Sequence, residues 1–493
     1  MVIHPLDNVE IHEDGHKYAR RAIRAGENVV KYGMPIGHAT CDIAPGEHVH
    51  VHNVATNLGE TLEYTYDPDP AVVGVEGDSK RTTAREDSKR TTAREDVPTF
   101  KGFRHPDGRV GVRNDIWIVP TVGCVNNLCE RLAASCGGIA LTHPYGCSQL
   151  GADHEMTANL LAALCRHPNA GGVLVVALGC ENNTLESFKD RVLAQSTNHE
   201  PLNTNHKPLT TEHKPLTTNH EQLNIRFLRA QDPGDEYARG LELLAELDQA
   251  RIKERVEIPV SELVVGLKCG GSDGFSGLTA NPLVGRFSDW LVARGGSTIL
   301  TEVPEMFGAE TLLMRRCRDR TVFEKCVKMV NDFKDYYARH GQPCYENPSP
   351  GNKAGGITTL EDKSLGCVQK GGSSRVEDVL DYGEHVKTHG LSLLTGPGND
   401  LVASTVLAAS GCHLVLFTTG RGTPFGTVVP TMKIATNTTL ATAKPHWIDW
   451  DAMANPDVEA FAAKVLEIAS GAPARNEVEN ARGIAIFKDG VTL

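Results

Sequence analysis

Two apolar runs constrain the fold most: DIWIVPTVGC at 115–124 and GGVLVVALGC at 171–180, each closing on Gly-Cys. Runs this apolar suit strands buried on both faces. The helical pattern MTANLLAALCRH lies between them. Strand, helix, strand is the signature of a parallel sheet with crossover helices, so an α/β class is expected. A chain of 493 residues is too long for one core, and two or three domains follow. Its 48 glycines fit an α/β enzyme, with its many turns, better than a helical scaffold.

The remaining segments extend this plan. Residues 26–58 read as short strands broken by Gly and Pro, and EHVHVHN alternates with period two, placing His48, His50 and His52 on one face. A small β domain over 1–75 is expected. DSKRTTARE at 78–86 recurs unchanged at 87–95, which marks 76–98 as a low-complexity linker. A second α/β domain spans 99–256. It is interrupted at 197–224 by four seven-residue copies (TNHEPLN, TNHKPLT, TEHKPLT, TNHEQLN) whose single leucines and prolines cannot build a coiled-coil seam. From 257 to 493, SELVVGLKCGGSD opens a further sheet, and LSLLT, GPGN, DLVASTVLAAS and HLVLFTT form a Rossmann-like βαβ unit. Its turn lacks GxGxxG, so a dinucleotide site is weakly supported.

Charge narrows the function. A formal net charge of −12 argues against nucleic acid or an anionic membrane as partner. No run approaches the roughly 20 apolar residues of a membrane helix. Thirteen scattered cysteines, with no export signal at the start, point to reduced thiols in the cytoplasm.

The chemistry concentrates in loops. Cys124, Cys147, Cys180 and Cys269 each follow glycine or lysine after an apolar run, beside Asn182, Ser272 and Asp273. Loops at the carboxyl ends of parallel strands are expected to converge on one crevice. No CxxC pair occurs, which disfavours structural zinc, while an iron–sulfur cluster from distant cysteines stays open. His50 and His52 form a second candidate metal pair. In HPYGCSQLGADHE (143–155), His154 follows Asp153 at a helix start. Arg113 and Asn114 sit in GRVGVRND, Glu302 in TEVPEMFGAE, Lys353 in a long Gly- and Pro-rich loop, and Arg421 in FTTGRGTPFG. Cations, carboxylates and amides of this kind suit a small anionic, hydroxylated substrate. No GxSxG elbow or P-loop is present.

These residues carry a resemblance. The stretches KYGMPIGHATCDIAPGEHVHVHN, GVRNDIWIVPTVGCVN, HPYGCSQLGADH, CGGSDGFSGLTANP, LTEVPEMFGAE, YENPSPGNKAGGITTLEDKSLGC and FTTGRGTPFGTVVPTMKIATN resemble the altronate dehydratase family, related to galactarate dehydratase. The resemblance implies an N-terminal SAF-like β-clip domain and α/β catalytic domains, the last Rossmann-like. It also implies hydro-lyase action on D-altronate, giving 2-dehydro-3-deoxy-D-gluconate in hexuronate catabolism, with ferrous iron (Fe2+) or manganese (Mn2+). A sugar-acid substrate and a homodimer are expected. The metal is expected at His50, His52, Cys124, Cys147, Cys180 and Cys269, and catalysis at His154, Lys353 and Glu302. Arg113, Asn114, Asn182, Ser272, Asp273 and Arg421 are expected to hold substrate. His154 or Lys353 would take the C2 proton. The competing expectations are a galactarate dehydratase and a non-catalytic sugar-acid sensor.

Overall fold

The structure is a computed structural model and describes residues 1–59, 62–73, 97–194 and 223–492. Both DSKRTTARE copies and nearly all of the heptapeptide repeat lie outside the described residues. The α/β class and the N-terminal SAF-type β domain are as expected.

The chain opens with two three-stranded antiparallel sheets. One orders Val9–Ile11, Lys17–Ala19 and His48–Val49, the other Asn28–Lys31, Met34–Ala39 and Val54–Ala55. Val9, Ala19, Ile23, Val29, Ile36, Ile43, Val49 and Val54 close their common core. The EHVHVHN strand is shorter than its alternation predicts and ends at Val49. Asn53 stops it. Its Oδ1 accepts the His50 N–H at 2.9 Å, while the Asn53 and Val54 N–H groups both return to His50 O at 3.0 Å. The chain turns before His50 and His52 can pair.

The middle unit holds a four-stranded parallel sheet in the order Ile139–Ala140, Asp115–Pro120, Ala170–Ala177, Ile225–Arg229. Alternate residues serve opposite faces. Ile116 and Ile118 pack on helices Asn126–Cys136 and Glu236–Ala250, while Trp117 and Val119 pack on Ala152–Cys165. That second core continues into the C-terminal unit through Leu380, Leu394, Val406 and Leu407.

The C-terminal sheet has seven strands, all parallel. Their order is Val376–Leu380, Gly390–Leu394, Ser297–Leu300, Val264–Cys269, Leu414–Thr419, Thr431–Ala435, Trp450–Asp451. The expected βαβ unit is present, but two strands separate Gly390–Leu394 from Leu414–Thr419. The chain winds outward from Val264–Cys269 in one direction and then in the other, which creates a topological switch point at this strand.

Candidate active site

Open parallel sheets bind ligands at the carboxyl edge near the switch point. Here the loops leaving Val264–Cys269, Leu414–Thr419 and Thr431–Ala435 meet at Asp273. Its carboxylate accepts from Thr436 Oγ1 at 2.9 Å, Asn437 Nδ2 at 3.0 Å and Ser276 Oγ at 3.0 Å. Asn352 Nδ2 donates to Ser272 O at 2.8 Å, tying in the Gly- and Pro-rich loop. A small cavity of about 10 Å³ lies between these loops and the N-terminal domain, lined by Lys31, Tyr32, Ser272, Asp273, Asp362 and Lys363, among others. Ser272 is buried, and its Oγ has no hydrogen-bond partner. An orphaned buried hydroxyl on a cavity wall is free to bond a water or a ligand group there. A larger cavity, lined by His105, Arg109 and His167, lies instead at the amino-terminal edge of the four-stranded sheet, away from these loops.

Behind the cavity lies a buried ionic network. Lys268 Nζ pairs with Glu302 and, at 2.8 Å, with Asp400; Lys363 Nζ pairs with Glu305 at 2.7 Å. Cys269 Sγ stands 3.3 Å from Cys367 Sγ, 3.1 Å from Glu305 Oε2 and 2.7 Å from Lys370 Nζ. The Cys367 thiol and the Lys370 ammonium pull Cys269 toward the thiolate, while Cys367 is pushed up. Burial and the neighbouring Glu305 drive Glu302 well above the usual carboxylate range. Burial also opposes ionisation of Glu305, but Lys363, Lys268 and Lys370 override it and hold it low.

The N-terminal domain forms the facing wall. Asp362 receives Lys17 Nζ at 2.7 Å and Lys31 Nζ at 2.9 Å, all three buried. Burial outweighs Asp362 at Lys17 and brings it down to about 8, while Lys31, against the same burial, is raised by Asp362. His16 Nδ1 and His48 Nε2 are 3.1 Å apart, and the His50 and His52 rings lie 5.4 and 5.6 Å from that of His48. His50 bonds Thr358 Oγ1 through Nδ1, and burial, with Lys17, lowers it to about 4. Burial, with the neighbouring His16 and His52 rings, lowers His48 as well.

The structure redistributes the expected site residues. Ser272 and Asp273 line the cavity. Lys353 lies on the adjoining helix Pro350–Ala354, its ammonium without a hydrogen bond or ion pair among the described residues, and exposed Arg421 stands beside Gly351. Glu302 does not face the cavity; it is sealed behind Cys269, paired with Lys268. The four cysteine loops do not share one crevice, because Cys269 belongs to the seven-stranded sheet and Cys124, Cys147 and Cys180 to the four-stranded one. Arg113 is no substrate ligand. Its guanidinium grips Glu477 twice at 2.7 Å and donates to three carbonyls, of Val112, Ile468 and Ala472. Asn114, which donates to Ile252 O, likewise precedes its strand and so occupies the opposite edge from the loops. Asn182 accepts the Ser148 N–H and braces two cysteine loops. His154 sits early in Ala152–Cys165, in the middle unit, and His52 is exposed. Lys17, Lys31, Lys268, Cys367 and Lys370 carried no sequence signal: each is a single polar residue or cysteine in an otherwise ordinary strand or helix.

Comparison with known proteins follows the same three units. Residues 4–57 match the family model "Altronate/galactarate dehydratase SAF domain", 102–250 "D-galactarate dehydratase/Altronate hydrolase, second domain" and 260–492 "D-galactarate/Altronate dehydratase, C-terminal". The altronate dehydratase of Bacillus subtilis (strain 168) is 52% identical over 99% of this chain and 94% of its own length. That of Escherichia coli (strain K12) is 49% identical over 97% and 92%. The galactarate dehydratase (L-threo-forming) of Escherichia coli (strain K12) is 31% identical over 90% and 81%. With the clip, the middle unit and the switch-point sheet all matched in order, the chain belongs to the altronate/galactarate dehydratase family.

Proposed function

We propose that this chain is an altronate dehydratase, a hydro-lyase that removes water from D-altronate to leave 2-dehydro-3-deoxy-D-gluconate in hexuronate catabolism. The gradient of identity carries the reading: 52% and 49% with two altronate dehydratases, against 31% with a galactarate dehydratase. Thirteen free cysteines suit a reducing cytoplasm, and no helix of the described residues is long and apolar enough to cross a membrane.

The cavity supplies the parts this reaction needs. Lys31 and Lys363 line it and stay protonated, because Asp362 and Glu305 override the effect of burial on each. The enclosed space is about 10 Å³, room for one small group, so Lys31 and Lys363 meet the substrate carboxylate only once the facing loops part. The unpartnered Ser272 hydroxyl takes a substrate hydroxyl. Lys353, uncommitted to any carboxylate among the described residues, takes the C2 proton; general-base catalysis of this kind contributes about 10²–10⁴-fold.

For ferrous iron, two donor sets compete. Cys269, Glu305 and Cys367 bring ligand atoms within 4.8 Å of one another. However, Lys363 and Lys370 already contact this set, and all three donors are buried, with Cys367 alone lining the cavity. His16, His48 and His50, with His52 beside them, offer a second set of nitrogen donors, but these do not close within 4.8 Å and would have to draw together around an ion. Such an ion supplies Lewis-acid stabilisation of the charge that develops on the carboxylate.

The test is turnover of D-altronate and galactarate side by side, by protein purified anaerobically with ferrous iron. Altronate is expected to be dehydrated at least tenfold faster, and a chelator to abolish turnover. Preference for galactarate, or turnover of neither acid, would overturn the reading.

A further inference from the structure

We propose that Cys124, Cys147 and Cys180 form a three-thiolate site for an iron–sulfur cluster, separate from the cavity described above. The loops bearing them leave Asp115–Pro120, Ile139–Ala140 and Ala170–Ala177, three strands that are consecutive neighbours in the four-stranded sheet. All three cysteines therefore stand at one carboxyl edge, where parallel sheets bind ligands.

The loops are bound to one another rather than merely adjacent. Gly123 N donates to Tyr145 O at 2.9 Å, Asn183 N to Gly146 O at 3.1 Å, and Ser148 N to Asn182 Oδ1 at 2.9 Å. Gly146 packs so closely that a Cβ there would fall 1.9 Å from Thr121 O. Each hydrogen bond joins one cysteine loop to another, so the thiols are held as a group.

Exposure separates these thiols from ordinary core cysteines. Seven of the thirteen cysteines are buried, whereas Cys124, Cys147 and Cys180 are exposed, as are only Cys41 and Cys136 besides. Three free thiols gathered on one surface are an oxidative liability unless something occupies them. Cys124 also lies in the 3-10 turn Gly123–Val125 that runs into helix Asn126–Cys136.

Spacing argues against a single tetrahedral ion. A tetrahedral mononuclear site needs sulfurs about 3.8 Å apart, from metal–sulfur bonds of about 2.3 Å. Among the described residues only Cys269, Glu305 and Cys367 close within 4.8 Å, so the three loop thiols stand wider. A cluster interposes several irons and accepts the wider spacing. Glu181 is not a fourth ligand, because its carboxylate is taken by Thr121 Oγ1 at 2.6 Å and the N–H groups of Leu178 and Gly179. With three thiolates as its ligands, a four-iron cluster would leave one iron open to water or a hydroxycarboxylate. Gln149, buried in the Cys147 loop, has an amide nitrogen with no partner, a donor of the kind that tunes cluster sulfurs.

The test uses the full-length chain, purified anaerobically and reconstituted with ferrous iron and sulfide. About four irons and as many acid-labile sulfides per chain are expected, with a broad visible absorption. Cys124→Ser, Cys147→Ser and Cys180→Ser should each lower bound sulfide at least tenfold with circular dichroism unchanged, while Cys41→Ser and Cys136→Ser retain it. Wild-type protein that binds no sulfide would overturn the proposal, as would a triple variant that keeps the chromophore or sulfide-free zinc binding at the same thiols. Altronate turnover is not the readout, so failure of the cluster leaves the proposed reaction standing.

Discussion

Lysine decides the chemistry at the scale of single residues. Lys268 and Lys363 are committed to Glu302 and Glu305, and Lys370 to Cys269. Lys353, by contrast, is half-buried beside the cavity without a partner among the described residues. Lys353→Met should therefore lower kcat on altronate by about 10²–10⁴-fold, with the melting temperature almost unchanged because no ion pair is broken. Lys353→Arg should stay inactive, since a guanidinium cannot act as a base. Steady-state turnover together with a thermal melt checks both. A base role is excluded if either variant turns over at the normal rate. Lys353 was legible because it stands in a charged, glycine-rich loop. Lys268 was not, since in VVGLKC it is one cation inside a run otherwise fit for a buried strand.

At the scale of elements, the clip is a wall of the site. Thr56 Oγ1 and Asn57 N donate to Glu361, and Lys17 and Lys31 to Asp362. The closest approach is at Gly274, where a Cβ would sit 1.9 Å from Gly15 O. Gly274→Ala should force the two surfaces apart at a cost of about 1–3 kcal/mol, typical of overpacking. Faster proteolytic cleavage between the clip and the rest, with a matching fall in kcat/KM, is the expected result; unchanged cleavage would show that the clip tolerates the displacement. The EHVHVHN segment teaches the same lesson. Its alternation predicted a strand, but the tertiary turn made by Asn53 ended it and gathered the histidine rings instead.

The whole molecule should be acid-sensitive, through three buried histidines, two of which, His167 and His413, join its middle and C-terminal units. His167 Nε2 bonds Cys412 O at 3.1 Å, and Asn169 Nδ2 donates to His413 O at 2.8 Å, linking the middle and C-terminal units. Burial lowers His143 to about 4, His167 to about 3 and His413 to about 4. Their folded values lie below the unfolded value of about 6.5, so between roughly pH 4 and 6.5 the unfolded chain binds more protons. The stability these neutral rings confer is intact above about 6.5 and is lost as pH falls through that window. Urea unfolding at pH 7 and pH 5 should show a loss on the order of 2–5 kcal/mol. A midpoint flat across that interval would mean the rings titrate normally.

Local signals in the sequence determined the parallel α/β class, the opening β domain and the loops that carry Ser272, Asp273, Lys353 and Arg421. Buried strands and glycine-flanked loops announce themselves within about ten residues, through periodicity and composition. The tertiary structure alone decided which loops meet. It divided the four cysteine loops between two sheets, turned Arg113 and Asn114 to the amino edge, and sealed Glu302 behind Cys269. It also brought Lys17 and Lys31 against Asp362, more than 300 residues away in the chain. Strand order and domain docking set such pairings, and neither leaves a trace in the local pattern of residues that a single sequence presents.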